Sequence, residues 1–140
     1  MISEKQQPVF RIVKSKLFID ENHASAIKLN EISRQAHFSL YHYIRLFKVI
    51  YGITPHQYLK EKRIEKAKLL LAQSELSISD ICYSVGFESV SSFTTLFKAV
   101  TGLNPRRYRQ NHLEKEQKIA EQPLVAIPGC MAEKYGLKAG

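Results

Sequence analysis

Phe47-Lys48-Val49-Ile50-Tyr51-Gly52-Ile53-Thr54-Pro55-His56-Gln57-Tyr58 returns later in the chain as Phe97-Lys98-Ala99-Val100-Thr101-Gly102-Leu103-Asn104-Pro105-Arg106-Arg107-Tyr108. The offset is 50, and Phe, Lys, Gly, Pro and Tyr coincide. Upstream the match continues at an offset of 49, pairing Glu31-Ile32 with Asp80-Ile81 and Phe38 with Phe87. One residue has therefore been gained between Phe87 and Phe93. Two copies are too few for a solenoid, so the chain carries one small unit twice.

Each copy reads as helix, tight turn, helix. In the first, Leu29 to Ala36 places Leu29, Ile32 and Ala36 on one face, and His37-Phe38-Ser39 forms the turn. Ser39 is suited to cap a second helix from about Leu40 to Tyr51, whose inward residues Tyr43, Leu46, Phe47 and Ile50 fall at helical spacing. Gly52 ends it. The second copy opens on Ser77-Ile78-Ser79-Asp80, a cap with an acidic residue three places on, and Gly86 closes its short helix. The following helix, about Val90 to Thr101, repeats the inward stripe as Phe93, Leu96, Phe97 and Val100.

Between the copies, Thr54-Pro55-His56-Gln57 has the form of a capping box with proline in the first helical position. Tyr58, Leu59, Ile64, Ala67, Leu70 and Leu71 carry that helix to about Gln73. Such a rod spans ~27 Å, close to the ~34 Å turn of B-DNA. Asn104-Pro105 starts a last helix, to about Ala120, and an opening helix from about Val9 to Asp20 is expected to turn Phe10, Val13, Leu17 and Phe18 inward. The fold class is all-α: two helix-turn-helix subdomains joined by a long linker helix, about seven helices in all. The expected divisions are 8–53, 54–73, 74–120 and a tail, 121–140.

The formal charge is +8, and residues 111–140 hold four Lys and four Glu, so the whole excess lies in residues 1–110. A cationic body fits a polyanionic partner. No apolar run approaches the ~18 residues a membrane span requires, and the polar start of the chain does not read as a secretory signal. A cytoplasmic, nucleoid-associated protein is expected. Cys82 and Cys130 are too few for a disulfide framework and lack zinc-ligand spacing. Cys82 reads as a core residue. His37 and His42 are five apart, off a common helical face, so neither a metal nor any other cofactor is implied. No nucleophile–base pair or phosphate-cradling glycine loop is evident, which argues against an enzyme.

Ser84-Val85-Gly86-Phe87-Glu88-Ser89, then Phe93, Phe97-Lys98, Gly102, Asn104-Pro105 and Arg107-Tyr108-Arg109, resembles the C-terminal signature of the AraC/XylS family of bacterial transcription regulators. Arg63-Ile64-Glu65-Lys66-Ala67-Lys68-Leu69-Leu70-Leu71 is similar to that family's linker helix, and the resemblance covers roughly residues 10–110. It implies sequence-specific binding of double-stranded DNA, with the second helix of each unit in the major groove. Opposite the inward stripes, the solvent faces carry Tyr41, Ile44, Arg45 and Lys48 in one helix, and Ser91, Thr94, Thr95 and Lys98 in the other. Of these, Tyr41, Ile44, Arg45, Ser91, Thr94 and Thr95, joined by Val90, match the family's base-reading positions. Arg45 can bind guanine in bidentate fashion, and Ile44 suits a thymine methyl.

Lys48, Lys98, Ser39, Ser89, Arg106 and Arg107 are placed for phosphates, which fix register without reading sequence. Lys60, Lys62, Lys66 and Lys68 alternate with Glu61 and Glu65 and read mainly as a solvated face. The family leans towards activation through RNA polymerase. The effector or dimerisation domains that the family often carries do not fit within these 140 residues. A stand-alone regulator binding one asymmetric site as a monomer is the expectation, with the DNA-binding fragment of a larger effector-responsive regulator and a non-specific architectural DNA-binding protein as the alternatives. Leu124-Val125-Ala126-Ile127, bounded by Pro123 and Pro128, reads as a strap or a docking patch.

Overall fold

The structure, a computed structural model, describes residues 2–121. They form seven helices: α1 (Gln7–Asn22), α2 (Leu29–Gln35), α3 (Leu40–Tyr51), α4 (Pro55–Gln73), α5 (Ile78–Ser84), α6 (Val90–Thr101) and α7 (Pro105–Glu121). The punctuation in the sequence sets their ends. Ser39, Ser77 and Ser89 accept from the backbone N–H three residues on. Thr54 and Gln57 complete a reciprocal capping box at the start of α4, and Asn104 Oδ1 accepts from Arg107 N at 2.8 Å before α7. Gly52 and Gly102 end the two longer helices of the repeat in the left-handed conformation, at φ 81° and 83°.

Two apolar cores result, and α4 supplies both. Leu59 joins Ile12, Ile19, Ile32, Tyr43 and Phe47 in the first core. One turn further along, Ile64, Ala67 and Leu71 join Ile81, Cys82, Val85, Phe93 and Phe97 in the second. The helix between the units is thus structural material of each unit as well as the spacer between them. Cys82 is fully buried, and burial pushes its thiol above the usual range. The aromatic packing is duplicated too. Tyr43, Phe47 and Tyr58 pack tilted or edge-on with ring centroids 5.9 and 5.8 Å apart, and their counterparts Phe93, Phe97 and Tyr108 do so at 5.7 and 5.3 Å. Where Tyr43 adds a hydroxyl that Phe93 lacks, the first core answers with buried Ser15, whose Oγ accepts at 3.0 Å. A buried hydroxyl needs that partner.

Two inward stripes differ from the sequence expectation. Phe10, Val13, Leu17 and Phe18 of α1 are exposed, and the buried residues are Ile12, Ser15 and Ile19. Both stripes have helical spacing, so periodicity alone could not rank them. The tie is broken by Ser15, whose hydroxyl donates to Ile12 O at 2.6 Å and accepts from Tyr43 at 3.0 Å and so is satisfied in the core, and by Asp20. Tyr58 donates to Asp20, which also pairs with Lys16 at 3.3 Å and Lys62 at 3.5 Å, fixing the rotation of α1 against α4. Burial pushes the Asp20 carboxyl up, but the Tyr58 hydrogen bond and the two lysines outweigh it and hold the group below the usual range. Burial and the bond to Asp20 push Tyr58 upward in turn. Val100 is also exposed, at 49%. Valine is shorter than Ile50, its counterpart, and does not reach the second core.

Candidate nucleic-acid interface

α3 and α6 are anchored through the same pair of positions, Tyr43 with Phe47 and Phe93 with Phe97. Their opposite faces are therefore equivalent. Tyr41, Arg45 and Lys48 are exposed on α3, and Ser91, Thr95 and Lys98 on α6. Ile44, Thr94 and Val90 are half-buried at the edges of these faces, and the Thr94 hydroxyl donates to Ser91 O at 3.1 Å. Tyr41 and Tyr43 lie two residues apart and so on opposite faces of the helix: the first is 75% exposed, the second fully buried.

The outward rows extend further than the sequence reading took them. Val49 is 74% exposed, one turn beyond Arg45, and Ala99 occupies the same place after Thr95. The rows Tyr41–Arg45–Val49 and Ser91–Thr95–Ala99 run at i, i+4, i+8 along each helix. That spacing is present in the sequence, but an apolar side chain such as Val49 does not by itself mark an outward face. His42 is exposed and held edge-on to Phe38, with ring centroids 5.1 Å apart.

Ser39 and Ser89 are helix caps, each accepting an N–H through its Oγ. A hydroxyl has one donor and two acceptor positions, so capping leaves the Ser39 proton free for a second acceptor. The Ser89 hydroxyl donates to Ser92 Oγ at 2.9 Å. Arg106 and Arg107 are exposed in the first turn of α7. Arg109, from the next turn, faces inward and donates to Leu71 O at 3.1 Å.

The four lysines of α4 do not share one environment. Lys62 pairs with Asp20 and Lys68 with Glu65 at 3.2 Å, as ordinary structural ion pairs. Lys60, however, is half-buried in a cleft of about 860 Å³ between the two units, with Lys28, His56, Arg63, Glu88 and Ser89. Burial, then the neighbouring Lys60 and Arg63 charges, hold the His56 imidazole below the usual range. This basic cleft was not legible in the sequence, because its lining comes from the α1–α2 loop, α4, and the α5–α6 turn. No group of three His, Cys, Asp or Glu that could hold a metal converges among the described residues. No described helix is long and apolar enough to cross a membrane. Cys130 and Leu124–Ile127 lie outside the described residues.

The profile of a helix-turn-helix domain matches residues 32–111, over half of the chain. The bifunctional transcriptional activator/DNA repair enzyme AdaA of Bacillus subtilis is 40% identical over 93 residues, which cover 66% of this chain and 44% of AdaA. This chain spans less than half the length of AdaA and of other regulators it resembles. Among solved structures, the C-terminal domain of the response regulator yesN from Fusobacterium nucleatum aligns with a TM-score of 0.66 at 36% identity, covering 68% of this chain and 93% of that domain. The DNA-binding domain of AdpA, solved in complex with a target DNA, aligns at 0.70 over 80% of this chain and 96% of that one, and at 22% identity shows the shared fold. The duplicated seven-helix architecture and these matches agree: the chain belongs to the AraC family of helix-turn-helix transcription regulators.

Proposed function

We propose that this protein binds one asymmetric duplex site as a monomer, placing α3 and α6 in two adjacent major-groove segments. The observation that carries the reading is the recurrence of one outward face on two helices buried through the same aromatic pair. α4 spans 19 residues, or ~28 Å at ~1.5 Å per residue, which suits successive groove segments on one side of a duplex. Tyr41, Arg45 and Val49 read bases in one segment; Ser91 and Thr95 read in the other, with Ile44, Thr94 and Val90 at the margins. Lys48, Lys98, Ser39, Ser89, Arg106 and Arg107 hold phosphates. The cleft of Lys28, His56 and Lys60 receives the backbone that crosses between the two segments.

The output is transcription regulation in the cytoplasm, chiefly activation, with RNA polymerase as protein partner. The exposed apolar stripe of α1 (Phe10, Val13, Leu17 and Phe18) is a surface free of core duties and available to that partner. The chemistry is recognition rather than catalysis: the match to AdaA covers 44% of that bifunctional protein, and its repair activity is not carried across. Selection of bound sequences from a random duplex pool tests the reading. Two blocks of preferred bases, with centres about one helical turn apart, are expected. Enrichment of no sequence at all would leave a non-specific binder.

A further inference from the structure

In the first unit, Arg11 of α1 lies over the Phe38 ring at 4.3 Å and donates to the carbonyls of Ala36 and His37, at 3.1 and 3.2 Å. It thereby fastens the unit's own turn. In the second unit an arginine from the preceding helix again lies over the turn aromatic: Arg63 of α4 sits 5.9 Å from the Phe87 ring. Its donors, however, go elsewhere. Arg63 Nε donates to His23 O at 2.8 Å, and an Nη donates to Ser25 O at 3.1 Å, both in the α1–α2 loop of the first unit. The second arginine is aimed across the gap and ties one unit to the other.

Gly86 makes room for this tie. It occupies the place in the second turn that His37 holds in the first, at φ 100° against 61°. A Cβ at Gly86 would lie 2.8 Å from Arg63 Nε and 3.0 Å from His23 O. By contrast, Gly52 and Gly102 have nothing within 4 Å of a built Cβ. Those two glycines serve only their own helix ends, whereas Gly86 serves a contact between units.

We infer that Arg63, admitted by Gly86, is a positioning residue that locks the angular phase between α3 and α6 and so makes the protein discriminate the number of base pairs between its two contact blocks. The inference rests on the two-segment reading proposed above. α4 fixes separation along its own axis; on this inference the freedom left to the pair is rocking of one unit about α4. The planar guanidinium, with donors in fixed directions, stops that rocking in a way a lysine cannot. One added base pair moves the second block by ~3.4 Å and rotates it by roughly 34°, which a rigid pair of probes cannot follow.

Two measurements test this. On the duplex selected from the random pool, one base pair is inserted or removed between the two blocks. Wild-type protein should lose about tenfold or more in affinity, and Arg63→Lys, Arg63→Gln and Gly86→Ala should lose about threefold or less. Arg63→Lys keeps the cationic charge, and the ratio between spacings cancels any uniform loss of phosphate attraction. An unchanged ratio in folded variants, or no spacing penalty in wild type, would overturn the inference. The second measurement needs no DNA. Nitroxides placed at Val49→Cys and Ala99→Cys, in a Cys130→Ser background with buried Cys82 retained, report the distance between α3 and α6. A narrow distribution should broaden in Arg63→Gln and Gly86→Ala, and equal widths would refute the lock. Failure to select any sequence, with the narrow distribution and its broadening intact, would count against the DNA reading and leave the lock standing.

Discussion

Arg45 lies in the middle of the outward row of α3, flanked at one-turn spacing by Tyr41 and Val49, with no competing acidic side chain on that row. On the proposed reading a guanidinium so placed is the strongest candidate base reader, because it can satisfy guanine O6 and N7 together. Arg45→Ala should cost about 1–3 kcal/mol on the selected site and relax preference at one position. Binding titrations on single-base variants of that site check this; a uniform loss across variants would make Arg45 an anchor instead. His56 is of another kind. It faces Lys60 and Arg63 on α4, Lys28 before α2, and Tyr83 and Glu88 from the second unit. In free protein its imidazole titrates below the ordinary 6.5, through burial and the two neighbouring cations. If the cleft receives a phosphate as proposed, that phosphate favours the imidazolium and binding should take up a proton. Affinity should rise as pH falls through and below 6.5, with the gain lost again as pH rises through the pKa of the complex. His56→Gln should flatten that slope, as titrations across pH 5.5–8 would reveal, whereas an identical slope would remove His56 from the contact.

At the scale of elements, α1 shows how far periodicity reaches. Cap, proline and glycine signals marked the starts of α3 to α7 and the ends of the two repeat helices, since those residues act on the backbone locally. α1 and α2, which lack side-chain caps, were legible only through apolar spacing, and α1 runs two residues further at each end than that spacing indicated. Which side of α1 is buried did not follow, because two apolar stripes competed and the deciding partners, Tyr43 and Tyr58, lie far away in sequence. Ile12→Ala and Ile19→Ala should each destabilise by about 2–5 kcal/mol. Phe10→Ser and Leu17→Ser should stay within about 0.5 kcal/mol. Urea unfolding distinguishes the two stripes, and the reverse order would restore the expectation from spacing. The candidate interface was legible for a related reason. Outward residues of α3 and α6 are fixed by the same local period as the inward ones, so Tyr41, Arg45, Ser91 and Thr95 could be named from sequence. Lys60 and Arg63 could not, since the cleft and the tie exist only once both units are folded onto α4.

For the whole molecule, charge and geometry act together. The excess of +8 resides in residues 1–110, the part that builds both units, so on the proposed reading long-range attraction and groove reading would belong to the same body. Lys98→Ala should weaken all duplexes alike and lower the slope of log affinity against log salt by about one. Salt titrations on selected and scrambled duplexes check it; a loss confined to the selected duplex would make Lys98 a reader. Because Leu59 serves one core and Ile64, Ala67 and Leu71 the other, α4 makes the spacing of the probes a property of the packed interior. The most direct measurement is a hydroxyl-radical footprint combined with guanine N7 methylation interference on the selected duplex. Two protected blocks on one face of the duplex, about one turn apart, with interference in both, are the predicted result. Protection and interference confined to a single groove segment, in a fully folded protein, would contradict it.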